Sequence, residues 1–371
     1  MRRLICILGG LCLCTGILRA EDPLEKELRA LVTDVAKVLE KQNQTDIRMG
    51  KFTGDGDIPS NFGPEIQRIL LALFQQQKIG VSRTATIEIK GDYRPVTQDP
   101  ENPQLKEMFV RINARLVNTK SGKELADVPV LSRAAYGNEL LLRSTGVPVG
   151  LPPSADRHVR NEVIRKQVEK PESHAVNSLV KSSEGSPFAV ELLVVPNAKA
   201  PDPARGREVS KKAGLPFVEI KKDEVYRIKI HNNADFDVAV KVEIDGLDMY
   251  SFADRENRNA KGELNFTPVV VIKKGTAGVI RGWFRTLSKA DSFQVSSYAE
   301  SAVAELNASQ ADIGMVCVRF FAAWDTEEQL RQEGAKDAIA TKRGESVDQD
   351  LKLVQKYLGT ARDQVAIRYA K

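Results

Sequence analysis

Cysteine is scarce in this chain, and its placement excludes a disulfide framework. Of four cysteines, Cys6, Cys12 and Cys14 fall within the first twenty residues and Cys317 stands alone in the rest. One thiol makes no internal bridge, so folding beyond that leader must rest on an apolar core. Histidine is scarcer still. His158, His174 and His231 are the three, and none has the partner four residues away that a helical two-histidine metal site needs. An excess of one charge is also missing: 55 Lys and Arg face 50 Asp and Glu. Setting aside residues 1–20 removes Arg2, Arg3 and Arg19 and no acid, leaving 52 against 50, which is no electrostatic footprint for nucleic acid. The densest basic stretch, Lys199, Arg205, Arg207, Lys211 and Lys212, is interrupted by Asp202 and Glu208 and reads as a solvated loop. No Walker-type loop, no G-x-G-x-x-G after a strand and no G-x-S-x-G elbow occurs, so no cofactor is indicated. Ser178-Leu179-Val180-Lys181 has the S-x-x-K spacing of serine acyl-enzymes but lacks their companion motifs and lies in linker-like sequence, so it reads as a chance match.

What is present begins with the first twenty residues. Arg2 and Arg3 precede an apolar run from Leu4 to Leu18, and Ala20 closes it before Glu21 and Asp22. A charged start, a short apolar middle and a small residue before polar sequence is the layout of a secretory signal peptide. The run is shorter than the roughly 20 apolar residues of a membrane-spanning helix. The expectation is an exported protein, periplasmic or extracellular or associated with the outer membrane, with no transmembrane segment in the mature chain. Export without disulfides fits a bacterial envelope.

Leu24, Leu28, Leu31, Val32, Val35, Val38 and Leu39 recur at helical spacing. Asp46 to Phe52 reads as a strand, residues 53–61 as a loop rich in Gly, Asp, Pro and Ser, and Phe62, Ile66, Ile69, Leu70 and Leu73 as a second amphipathic helix. Ile87 and Ile89, then Met108, Val110, Ile112, Ala114 and Leu116, alternate with polar residues as strands with one buried face do. Residues 21–137 are thus expected to form a small α/β domain. Residues 138–185 read as a helical linker region, with Val159, Val163 and Ile164 on a helix that Pro171 stops and serine-rich sequence around Lys181 to Ser186. From Phe188 onward short strands recur between Asn, Asp and Gly turns, which predicts an antiparallel β-sandwich over residues 186–371. A helix is expected from Val347 to Leu358 and a closing strand from Val365 to Tyr369. The fold class is α+β in two domains.

The order of an amphipathic helix, a strand entering a glycine-containing loop, a helix, and Gly91-Asp92-Tyr93 leading to the strand from Val110 to Asn118 with its Lys120-Ser121-Gly122-Lys123 turn resembles a group of bacterial envelope proteins. That group holds the curli-secretion channel protein, the flagellar outer-membrane lipoprotein family and the lipoprotein activators of penicillin-binding proteins. The resemblance covers about 100 residues. It implies an α/β fold and a role in assembly or regulation through contact with other envelope components. Many members are lipid-anchored, whereas Leu11 precedes Cys12 and Leu13 precedes Cys14 here, a poor context for lipid attachment. The later half resembles β-rich domains of uncharacterised exported bacterial proteins.

Two groups of residues stand out as candidate sites. Arg281, Trp283 and Arg285 sit in one strand around Gly282 and Phe284. Consecutive residues of a strand face opposite sides, so Trp283 or Phe284 faces away from the core unless another element covers it. Trp and Arg are enriched at interaction hot spots, making these three the partner-binding candidates. Asp245, Asp248 and Asp254 surround a glycine turn, where oxygen-rich loops can hold calcium but where Asp and Gly also simply make a turn. The function expected is a non-enzymatic binding or scaffold protein whose partners are envelope proteins or cell-wall components. The alternatives are an exported hydrolase using those carboxylates and a calcium-stabilised adhesion module.

Overall fold

The computed structural model describes residues 22–54, 62–96, 108–152, 157–212, 215–259, 264–296, 314–332 and 356–369, with strand pieces at 4–6, 11–13, 346–347 and 352–353. Apart from those pieces, the leader-like residues 1–20 lie outside the described residues. The protein is a mixed α/β chain, mostly strands, divided into two compact units; residues 22–146 belong to one, and 147–296 with 314–369 to the other. Among the described residues no helix is long and apolar enough to cross a membrane.

In the first unit, helix α1 (Pro23–Lys41) begins at Asp22, whose carboxylate accepts the Leu24 N–H at 2.9 Å, the side-chain cap that satisfies a free helix-end donor. Its stripe buries Leu24, Leu28, Leu31, Val32, Val35 and Leu39. Strand β1 (Asp46–Gly54), helix α2 (Phe62–Gln76), the short β2 (Gly80–Val81), β3 (Ile87–Val96), β4 (Phe109–Asn118) and β5 (Leu131–Tyr136) follow. The sheet order is β2-β1-β3-β4-β5, with β1 parallel to β2 and β3 and the remaining pairs antiparallel. Helix α3 (Asn138–Thr145) completes the unit. Arg143 of α3 is buried and reaches both Asp22, at 3.0 Å, and buried Glu65 of α2, so one guanidinium ties three helices together. The expected helix-strand-helix-strand-strand order is present; β5, whose Leu-Ser-Arg-Ala-Ala-Tyr sequence has no clean alternation, adds an edge strand that periodicity does not reveal.

The second unit contains largely antiparallel sheets. It opens with β6 (Val149–Gly150), helix α4 (Arg157–Glu169), β7 (His174–Val176) and β8 (Leu179–Lys181). The strands β9 (Phe188–Val195), β10 (Val209–Lys212), β11 (Leu215–Val218), β12 (Val225–Asn232), β13 (Asp237–Ile244), β14 (Leu247–Asp248), β15 (Val270–Ile272), β16 (Thr276–Ile280), β17 (Gly282–Gln294), β18 (Met315–Trp324) and β19 (Tyr357–Tyr369) build the rest, with a short helix α5 (Glu327–Gln332). One sheet runs β15-β13-β18-β19-β11-β10, with β6 paired to β19; the other runs β17-β12-β9-β8-β7, with β16 also on β12. Alternate residues of both sheets, among them Val190, Leu192, Ile228, Ile230, Val240, Val318, Phe320, Val365 and Ile367, share one apolar core. Each such side chain contributes roughly 1.5–3 kcal/mol when fully buried.

Three expectations are corrected. The helix from Val347 to Leu358 is not seen: its described parts, Val347, Lys352–Leu353, Tyr357 and Leu358, are extended, and the remainder lies outside the described residues apart from Lys356. The closing strand is longer than expected, because Tyr357 already pairs with Trp324. The serine-rich stretch around Lys181 to Ser186 is the turn between the antiparallel strands β8 and β9 rather than a linker, with Ser182 and Ser186 buried and residues 183–185 exposed. Its polar side chains have partners that local sequence does not show.

Candidate functional site

The partner-binding candidates lie where the chain folds back within β17. A Cβ on Gly282 would come within 2.2 Å of the Asp291 carbonyl oxygen, so only glycine permits that approach. Both aromatics that follow are covered. Phe284 is buried against Tyr250 and Phe266, with centroids at 4.9 and 5.6 Å. Trp283 is half-buried and makes edge contacts with Phe252 and Phe293, both at 5.3 Å. Phe293 stacks on Tyr226 at 5.3 Å, and Tyr226 meets Tyr369 at 5.5 Å. The Tyr369 hydroxyl donates to Asp245 at 2.6 Å. An aromatic ladder therefore joins two residues that the sequence singled out separately, Trp283 and Asp245.

Asp245 has the positive φ of 52° and Gly246 of 76° that a two-residue hairpin turn requires, and Ile244 pairs directly with Leu247. Its carboxylate also accepts the Gly314 and Met315 N–H groups at 2.6 and 3.0 Å. Burial raises its pKa, and the Tyr369 hydroxyl and the two amides offset part of that. Asp248 accepts the Tyr250 N–H at 3.0 Å. Asp254 is paired with Arg285 at 2.7 Å. The three acids thus occupy three separate roles, and among the described residues no three or more His, Cys, Asp or Glu side chains converge to hold a metal ion.

Both arginines flanking Trp283 are pinned. Arg285 bonds to Asp254 and, at 2.9 Å, to Asp291. Arg281 bonds to Asp202, which also takes the guanidinium of buried Arg227. Arg227 reaches on to the carbonyls of Ala198 and Ala200 at 2.8 and 2.6 Å. Asp202 belongs to the basic stretch, whose Lys199, Arg205, Lys211 and Lys212 are exposed, as a solvated loop predicts, but which is anchored at several points. Residues 196–208 form a strap tied to the outer face of the β12-β9 sheet. Gly206 presses on Glu191, Arg207 holds Glu224 at 2.6 and 2.9 Å, and Lys211 donates to the Ser173 carbonyl at 2.7 Å. The interrupting acid that made this stretch read as solvated is its anchor.

Glu191 lies under the strap and is 4% exposed. It accepts from Ser178 Oγ, from His231 Nε2 at 2.9 Å and from the Gly206 N–H at 3.2 Å, with Lys229 Nζ at 3.3 Å. Burial pushes this carboxyl up, but those donors and the Lys229 charge prevail and hold it down at about 2. Glu191 stands between Ser178 and His231, so the imidazole cannot take the Ser178 proton through this contact and the trio is not the nucleophile-base-acid order of a hydrolase. Lys181 donates to the Ser186 carbonyl at 2.9 Å, so the S-x-x-K match serves the turn. The signal for Glu191 was an acid inside the apolar run of β9, which demands buried partners. Cys317 is buried beside Met315 and Ala366, where burial pushes its thiol up to about 12. The chain matches no protein-family model, no curated protein and no solved structure.

Proposed function

We propose that the chain is an exported, non-enzymatic binding or scaffold protein of the bacterial cell envelope, in which a small α/β domain precedes a β-sandwich and the contacts are made to envelope proteins or wall components. The observation that carries this reading is the pre-set state of the Trp283 surface. Trp283 is wedged between Phe252 and Phe293, and the guanidiniums on either side are already fixed by carboxylates. Side chains immobilised beforehand lose little freedom on binding, and half-buried Trp between Arg residues has the composition of an interaction hot spot. The leader-like first twenty residues and the helix-strand order of the first unit support the envelope setting.

The test is crosslinked capture with residues 21–371 from envelope extract, comparing the native chain with Trp283→Phe. Phenylalanine keeps an aromatic ring against Phe252 and Phe293 and removes the indole surface. Capture of a reproducible partner should fall about tenfold, the effect of losing about 1.4 kcal/mol at a contact, while Tm moves by no more than about 4 °C. Equal capture by both chains would remove Trp283 from the interface and this reading with it.

A further inference from the structure

One end of the core in the second unit is closed by an acid. Asp363, Val365, Ile367 and Tyr369 alternate along β19, and the last three belong to the shared core, so Asp363 continues the core-facing row. It sits beside an irregularity in the β18-β19 ladder, where Phe320 pairs with Asp363 and Phe321 with Ala361, leaving Arg362 as an extra residue. Bulges of this kind re-aim neighbouring side chains. Asp363 is 2% exposed. Its Oδ2 accepts from Ser182 Oγ and Ser186 Oγ, both at 2.7 Å, while its Oδ1 has no hydrogen-bond partner among the described residues. Gly150 of β6 pairs with it across the backbone. Three chain segments, β6, the β8-β9 turn and β19, therefore meet at one carboxyl group.

The charged groups around it make hydrogen bonds or ring contacts to other groups. Lys181, on the strand leading into the turn, donates to the carbonyls of Ser186 and Glu184. Arg160 of α4 donates to the carbonyls of Pro152 and Ala361. Arg362, next along β19, lies over the Phe236 ring at 5.4 Å. A buried carboxylate held by two hydroxyls and the Gln364 N–H, with no ion pair among the described residues, is costly, and the neutral acid in the same place costs less.

We propose that Asp363 is a pH-operated latch: as a neutral acid it holds the 182–186 turn against the end of the core, and its ionisation releases that turn. Burial supports this by pushing the carboxyl up to about 7, against the opposing pull of Ser182, Ser186, the Gln364 N–H and the Lys181 charge. Once the turn opens to water the carboxyl returns toward its ordinary 3.8. Linkage then makes the opening equilibrium grow about tenfold per pH unit between roughly 4 and 7 and level off above.

Amide hydrogen exchange of residues 182–186 and 188 in the full chain, corrected for intrinsic rates, reads this directly. The native chain should show opening that rises about 50- to 100-fold from pH 5 to pH 8. Asp363→Asn accepts from the same serines and cannot ionise, so its opening should be flat with pH. Ser186→Ala removes a donor that favours the ionised form, so the rise should persist to higher pH. Flat opening in the native chain, or an equal rise in Asp363→Asn, overturns the latch.

Discussion

Glu191 and Asp363 belong to the same unit and both are almost closed to solvent, yet their carboxyl groups differ in charge at pH 6. Glu191 is held at about 2 and Asp363 at about 7. Burial acts on both in the same direction, but further on Asp363, whose carboxyl lies deeper. The company differs too: Glu191 has a lysine at 3.3 Å, an imidazole, a hydroxyl and a backbone N–H, whereas Asp363 has two serine hydroxyls, the Gln364 N–H and only the field of Lys181, whose ammonium bonds to carbonyls instead. A buried acid stays ionised where cations and several donors surround it, and neutral where they do not. One becomes a fixed anchor for the strap, the other a group that responds to pH.

The largest break in this comparison comes from Glu191→Ala. It leaves Lys229, His231 and Ser178 facing a buried void, and unfolding free energy should fall by about 3–5 kcal/mol in denaturant titration at pH 7. In the native chain the stabilisation from Glu191 is present above pH ~4.5 and is lost as pH falls toward 2, because its folded pKa lies below its unfolded one. Asp363→Asn should act oppositely. The folded pKa of Asp363 lies above the unfolded one, so its contribution is complete below pH ~4 and lost as pH rises through about 7. The variant should therefore gain about 4 kcal/mol over the native chain at pH 8 and nothing at pH 4, as thermal melts at the two pH values would show. The smallest effect sharpens the cause. Lys229→Met removes one cation 3.3 Å from Glu191 and should lift the acid limb of the stability profile by up to about one pH unit, worth about 1 kcal/mol.

Much of the fold was legible because the signals are local. The α1 stripe, the alternation in β3 and β4 and the Asp245-Gly246 turn depend on neighbouring residues and are found where periodicity and turn chemistry put them. The roles of polar residues were less legible, because their partners are distant in sequence. Ser182 and Ser186 look like linker until Asp363 arrives about 180 residues later, and Asp202 looks like a break in a basic loop until Arg227 and Arg281 meet it. The site was legible in part. Trp283 was singled out, but Phe252 and Phe293, which hold it, were not. Asp254 and Arg285 were assigned to different sites and turn out to be one ion pair.

The most direct test is a carboxyl carbon NMR titration of Glu191 and Asp363 in one sample of the full chain, from pH 2 to pH 9. The account predicts that Glu191 remains ionised down to about pH 2 and that Asp363 takes up its proton near pH 7. Both groups titrating together near pH 4 would contradict it, since burial and partners would then have no hold on either proton.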